Sequence, residues 1–126
     1  MQGYDAVWFS PPAPLARVAL RNPGSGTLVP DVPMLLDTGA DVTLIPRSAV
    51  SELGLTPSSE DSYELVAFDG SRSVAQAIRL DLIFLKKTFK GQFLMVDQEW
   101  GLVGRDVLNH VSLLFDGPRL QWSEQV

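Results

Sequence analysis

Apolar and polar residues alternate along Leu15-Ala16-Arg17-Val18-Ala19-Leu20, the period of a half-buried strand. Asn22-Pro23-Gly24-Ser25-Gly26 is a turn, and Leu28 to Leu36 returns as a second strand interrupted by two prolines. Pro46 stands just before Arg47-Ser48-Ala49-Val50-Ser51-Glu52-Leu53-Gly54; proline near the start and glycine at the end predict a short helix. Tyr63 to Phe68 reads as a strand, and Asp69-Gly70 is the clearest hairpin signal in the chain. On the return strand Ile78, Leu80, Leu82 and Phe84 alternate against Arg79, Asp81, Ile83 and Leu85. Lys86 to Gly91 predicts another turn, followed by a strand over Gln92 to Val96. Beyond Gly104, Asp106 is positioned to cap a single helical turn ending near His110. Ser112 to Phe115 and Arg119 to Trp122 flank Asp116-Gly117-Pro118 as a last hairpin. Many short strands at this spacing, with one or two short helices, predict an all-β fold, a small closed β-barrel. No internal repeat or low-complexity tract interrupts the pattern.

Length changes the picture first. With 126 residues the chain has one core and one lobe. Ser10-Pro11-Pro12-Ala13-Pro14 breaks regular structure, which sets residues 1–14 apart as an arm or linker before a domain over 15–126. The net charge of −5, with no basic run longer than Lys86-Lys87, argues against nucleic acid or an anionic membrane as partner. Cysteine is absent and histidine occurs once, which excludes disulfide scaffolds and His/Cys zinc sites. The N-terminus has neither a basic segment nor an apolar core of the signal-peptide kind, and no apolar run reaches spanning length. A cytoplasmic protein is the expectation; excision from a larger or anchored parent would leave the same features.

The candidate chemistry lies in Met34-Leu35-Leu36-Asp37-Thr38-Gly39-Ala40-Asp41-Val42-Thr43-Leu44-Ile45. A buried strand delivers Asp37, Thr38-Gly39 turns the backbone, and a second apolar run carries the chain away. Apolar walls around a carboxyl group are the setting in which proton-transfer carboxylates occur. Phe68-Asp69-Gly70 and Phe115-Asp116-Gly117 lack the threonine and read as turns. His110 has no nucleophile elbow before it, so a serine-type triad has no support. Trp8, Trp100 and Trp122 are scattered, as expected for core or interface burial.

The run around Asp37 closely resembles the active-site segment of aspartic proteases, Asp-Thr-Gly-Ala or Asp-Thr-Gly-Ser between hydrophobic blocks. Leu102-Val103-Gly104-Arg105-Asp106-Val107-Leu108 is similar to the second family signature, two apolar residues, then Gly-Arg and a short helix. It lies where a single-lobed, retroviral-type protease carries it, and the resemblance spans roughly Leu35 to Leu114. The chain looks closer to bacterial and cellular retropepsin-like domains than to the smallest viral enzymes, because the segment before Asp37 is longer.

The resemblance implies an acid-protease barrel and an aspartic endopeptidase that needs no metal or other cofactor. One Asp-Thr-Gly per chain implies a homodimer with Asp37 paired with its own copy at a two-fold axis. It implies that the Thr38 hydroxyl clamps across that axis, that Gly39 leaves room for N–H groups to approach the carboxylates, and that Ala40 is small where substrate passes. It implies support from beneath by Gly104 and by an Asp41–Arg105 ion pair with bidentate geometry. The hairpin tip Phe68, Asp69, Gly70 and Ser71 is the candidate flap over a peptide or protein substrate. Viral proteases dimerise largely by interleaving terminal strands, and the proline-broken arm and terminal hairpin here imply a differently shaped interface. Two alternatives stay open: a catalytically silent peptide-binding module on the same fold, and a self-processing domain of a longer precursor.

Overall fold

The computed structural model describes residues 1–57 and 62–126. Its elements are β1 (Gln2–Asp5), β2 (Ala13–Arg21), β3 (Leu28–Leu36), β4 (Leu44–Pro46), α1 (Arg47–Glu52), β5 (Ser62–Val66), β6 (Arg72–Phe84), β7 (Lys87–Val96), β8 (Gly101–Val103), α2 (Arg105–Leu108), β9 (Leu113–Asp116) and β10 (Gln121–Glu124). The strands form one sheet in the order β5-β6-β7-β4-β8-β3-β2-β1-β10-β9, and a further β6–β2 pairing closes β6, β7, β4, β8, β3 and β2 into a ring. The fold is all-β, as the strand spacing predicts.

Inside the ring the alternation seen in the sequence becomes the core. Val18 and Leu20 of β2, Val32, Met34 and Leu36 of β3, and Ile78, Leu80, Leu82 and Phe84 of β6 are all buried. Trp122 joins them from β10 and donates its indole N–H to the Leu15 carbonyl at 3.2 Å. Trp8 and Trp100 stack on each other instead, with ring centroids 5.5 Å apart. α1 starts on Pro46 and ends in a Schellman turn. Gly54, at φ +74, donates to the Ser51 carbonyl and Leu55 to that of Val50, which satisfies two carbonyls the helix end leaves open. Asn22 fastens this end to the β2–β3 turn by donating its side-chain N–H to the Leu53 carbonyl at 2.9 Å, while its Oδ1 accepts from Gly24 and Ser25.

Several elements depart from the sequence reading. Gln2–Asp5, inside the segment expected to be an arm, is a strand between β2 and β10. Its pairing partner at one edge is the far end of the chain, which no local pattern encodes. β7 begins at Lys87, so Lys86 to Gly91 is mostly strand and not turn. The reversal needs only Leu85 and Lys86, both at positive φ (53 and 64), the geometry of a two-residue hairpin turn without its usual Asn or Gly. Asp81, which alternates against the apolar positions of β6, is only 3% exposed. It sits opposite Arg21 on one side and Lys90 on the other, and accepts from them at 3.0 and 3.3 Å. Two cations at once are what make a buried carboxylate tolerable there.

Candidate active site

Asp37 stands at the first position past β3, where that strand runs parallel to β8. Its amide donates to the Val103 carbonyl at 3.1 Å, extending the β3–β8 ladder by one bond and fixing where the carboxyl group emerges. The chain then turns: Ala40 donates to the Asp37 carbonyl at 3.2 Å, and Gly39 donates its N–H to Asp37 Oδ1 at 2.9 Å. A Cβ on Gly39 would lie 3.1 Å from that same oxygen, tight enough to crowd the contact. Asp37 is half-buried, and Thr38 and Gly39 are exposed, so the carboxylate lies at an open surface.

The turn is held from behind by the segment that follows β8. Arg105 donates its amide to the Ala40 carbonyl at 2.9 Å and its guanidinium Nη1 to the Thr38 carbonyl at 2.7 Å. Gly104 is buried, and a Cβ there would come within 2.6 Å of the carbonyl carbon and oxygen of Val42. Glycine is required here by proximity of two backbones.

The expected Asp41–Arg105 ion pair is absent among the described residues. Asp41 is exposed and stays in solvent, where an ion pair would gain little over hydration. Arg105 instead serves a carbonyl of the turn itself. The two sequence motifs are thus joined as expected, through a different acceptor.

Thr43, which the sequence reading did not assign, and Asp106, which it read as a helix cap, complete the join. Thr43 is fully buried, donates its hydroxyl to Asp106 Oδ1 at 2.6 Å, and accepts from the Gly104 N–H at 3.0 Å. Its own amide donates to Asp106 Oδ2 at 3.1 Å. Asp106 therefore receives two bonds from Thr43, and α2 starts at Gly104 with no side-chain cap. This corrects the expectation that Asp106 caps α2. The signal in the sequence was a lone hydroxyl inside the apolar run Val42-Thr43-Leu44-Ile45, where a buried polar group demands a partner.

Phe68, Asp69, Gly70 and Ser71 lie together at the tip of the β5–β6 hairpin, all exposed, with Gly70 at φ +88. Asp69 accepts from the Ser71 hydroxyl and from its amide at 2.9 Å, and these bonds hold its carboxyl below the usual carboxylate range. At the hairpin base, Leu65, Ala75, Ala77 and Leu94 form a separate apolar cluster with Val42 and Leu44. The hairpin thus rests on the loop that carries the Asp37 turn toward β4, while its tip makes no hydrogen bond to that turn among the described residues.

Residues 25–107 match the family model described as Aspartyl protease. No curated protein matches the chain significantly. Among solved structures, the EIAV protease complexed with the inhibitor HBY-793 is similar with a TM-score of 0.58 at 21% identity, covering 78% of this chain and 86% of that chain. At that identity the likeness is one of fold.

Proposed function

Because the chain belongs to the aspartyl protease family, we propose that it is an aspartic endopeptidase acting as a homodimer, with Asp37 of each copy facing the other. The observation that carries this reading is the Asp37 turn. One carboxylate is presented at an open surface, oriented by the Gly39 N–H, on a backbone pinned by Arg105 and Gly104. That is half of a two-carboxylate site, and a second copy supplies the other half.

Two carboxylates brought to about 3 Å cannot both ionise, so the pair shares a proton. The ionised Asp37 accepts a proton from a water held between them, and that water attacks the peptide carbonyl. The protonated Asp37 of the second copy donates to the carbonyl oxygen, and a proton then passes to the leaving nitrogen as the C–N bond breaks. The bond from Gly39 keeps one carboxyl oxygen in place, leaving the other for the water. Thr38, Gly39 and Ala40 form the floor of the site, Asp41 flanks it, and Gly104 and Arg105 hold it from behind. The hairpin tip Phe68 to Ser71 closes over an extended peptide, adding backbone hydrogen bonds and shedding water. The exposed apolar residues Val66, Phe68 and Val74 of this hairpin suit that contact.

The test is Asp37→Asn against a peptide library between pH 3 and 7, about the range in which carboxyl groups titrate. Cleavage is expected from the parent chain and lost in the variant, with circular dichroism and sedimentation unchanged. Cleavage retained by Asp37→Asn refutes the reading. Binding of peptides by the parent chain without products favours the silent module.

A further inference from the structure

Building on the dimeric reading, we infer that two copies of this chain join through the open edge of β9, antiparallel, with the two-fold axis at Leu114, and without exchanging their N-terminal strands.

Hydrogen-bond parity fixes which groups are free. The Gln125 amide donates to the Ser112 carbonyl at 2.7 Å, in register with the β9–β10 pairs Leu113↔Glu124, Leu114↔Ser123 and Phe115↔Trp122. Backbone groups in an antiparallel ladder point to alternate sides, so Ser112, Leu114 and Asp116 bond toward β10. Leu113 and Phe115 then direct their N–H and C=O groups the other way. β9 is last in the sheet order, with no strand among the described residues on that side.

Edge strands are normally guarded by charge, proline or a bulge. The opposite edge, β5, carries Glu64, ion-paired with Arg72. The β9 edge presents Leu113-Leu114-Phe115, with Leu114 50% and Phe115 41% exposed. The only charge on the strand, Asp116, lies at its end and faces Arg119 of its own hairpin.

The occupant that fits is a second β9. With the axis at Leu114, Leu113 of each copy lies opposite Phe115 of the other. Both are outward-bonding residues, so each pair exchanges two N–H···O bonds, four in all. Leu114 faces its own copy in a non-hydrogen-bonded position, where side chains approach most closely. The Leu113–Phe115 and Leu114–Leu114 pairs are apolar, Asp116 falls opposite Ser112 of the other copy, and no like charges meet. Moving the axis by half a residue would set an inward-bonding residue against an outward-bonding one and break the ladder.

β1 also argues against strand exchange. It is already paired with β2 on one side and β10 on the other, and the Tyr4 amide donates to the Leu120 carbonyl at 2.9 Å. Its Gln2–Gly3 half is laddered to β10 and its Tyr4–Asp5 half to β2, so each residue of the strand already has a partner strand within the chain. β9 is also joined through α2 to Arg105, which bonds the Thr38 carbonyl, so an axis through β9 is mechanically linked to the catalytic turn.

Because the chain has no cysteine, single substitutions read the register directly. Leu114→Cys should form a disulfide-linked dimer on mild oxidation, since residues facing each other at such a position have Cβ atoms about 4.5–5.5 Å apart. Ser123→Cys is the control. It lies on β10, so its copy is three strand spacings away, about 14 Å, too far for a disulfide. Most of Leu114→Cys in the covalent form, with Ser123→Cys unlinked and the linked species still cleaving peptide, supports the inference. A parent chain that sediments as a dimer and cleaves peptide, while Leu114→Cys fails to link or Ser123→Cys links equally, overturns this interface and leaves the proposed activity standing. A parent chain that is monomeric and inert overturns both.

Discussion

Thr43→Val is the sharpest test of how the Asp37 turn is held. Valine matches threonine in shape, so packing in this fully buried position barely changes, but the hydroxyl is lost. Two bonds go with it: the 2.6 Å bond to the Asp106 carboxylate and the 3.0 Å bond from the Gly104 N–H. A hydrogen bond to a charged group contributes about 1.5–3 kcal/mol and a neutral one about 0.5–1.5 kcal/mol. Asp106 is exposed and keeps the Thr43 amide, so water recovers part of the first term. The Gly104 amide is buried and has no such recourse. The net loss is expected near 2–3 kcal/mol, a fall in Tm of roughly 5–12 °C for a domain of this size. Urea unfolding at one fixed protein concentration measures it, with the midpoint shifting and the slope unchanged. Thr43→Ser keeps both bonds and loses only a methyl group, for about 1 kcal/mol. If Thr43→Val is no less stable than Thr43→Ser, the hydroxyl does not hold the two motifs together.

Gly104→Ala forces a methyl group within 2.6 Å of the Val42 carbonyl, and should cost about 1–3 kcal/mol by differential scanning calorimetry while sharply lowering peptide cleavage. Asp81→Ala leaves Arg21 and Lys90 without their shared carboxylate; because both cations reach solvent, a loss of about 1–2 kcal/mol in urea unfolding is expected, and high salt should shrink it. Asp69 is lowered by the Ser71 hydroxyl and amide, so its support of the hairpin tip is complete above the unfolded carboxyl range and is lost as pH falls through the lowered value. The Ser71 amide resonance should therefore titrate with a midpoint below about 3.9, the ordinary aspartate value, and Asp69→Asn should abolish that titration. A midpoint at or above the ordinary value would contradict it.

The parts of this fold that were legible in the sequence are those encoded by neighbours. The alternation from Ile78 to Phe84, the Asp69-Gly70 turn, and the Pro46 and Gly54 ends of α1 each follow from short-range sterics and hydration. The candidate site was legible through Asp37-Thr38-Gly39 and Gly104-Arg105, because each motif needs its glycine next to a particular polar residue. What stayed hidden depends on residues distant in the chain. β1 is defined by β10 and β2, Asp81 by cations on two other strands, and Asp106 by Thr43, 63 positions before it. The Asp41–Arg105 ion pair was expected from the family resemblance, yet the guanidinium took a backbone carbonyl of the turn. The Leu85-Lys86 reversal was missed because neither residue advertises a left-handed conformation.

β6 has one further consequence. Its Phe84 end belongs to the closed ring, paired with both β2 and β7, whereas its Arg72 end is bound only to β5. A single continuous strand is therefore anchored like a post at one end and cantilevered at the other. The changeover falls near Ala75 and Ala77, which pack with Leu94 against Val42 and Leu44 and form the fulcrum. On the proposed reading, force felt at Phe68 passes along this beam into the wall beside the Asp37 turn, and the stiffness of the beam governs how freely a peptide enters and leaves.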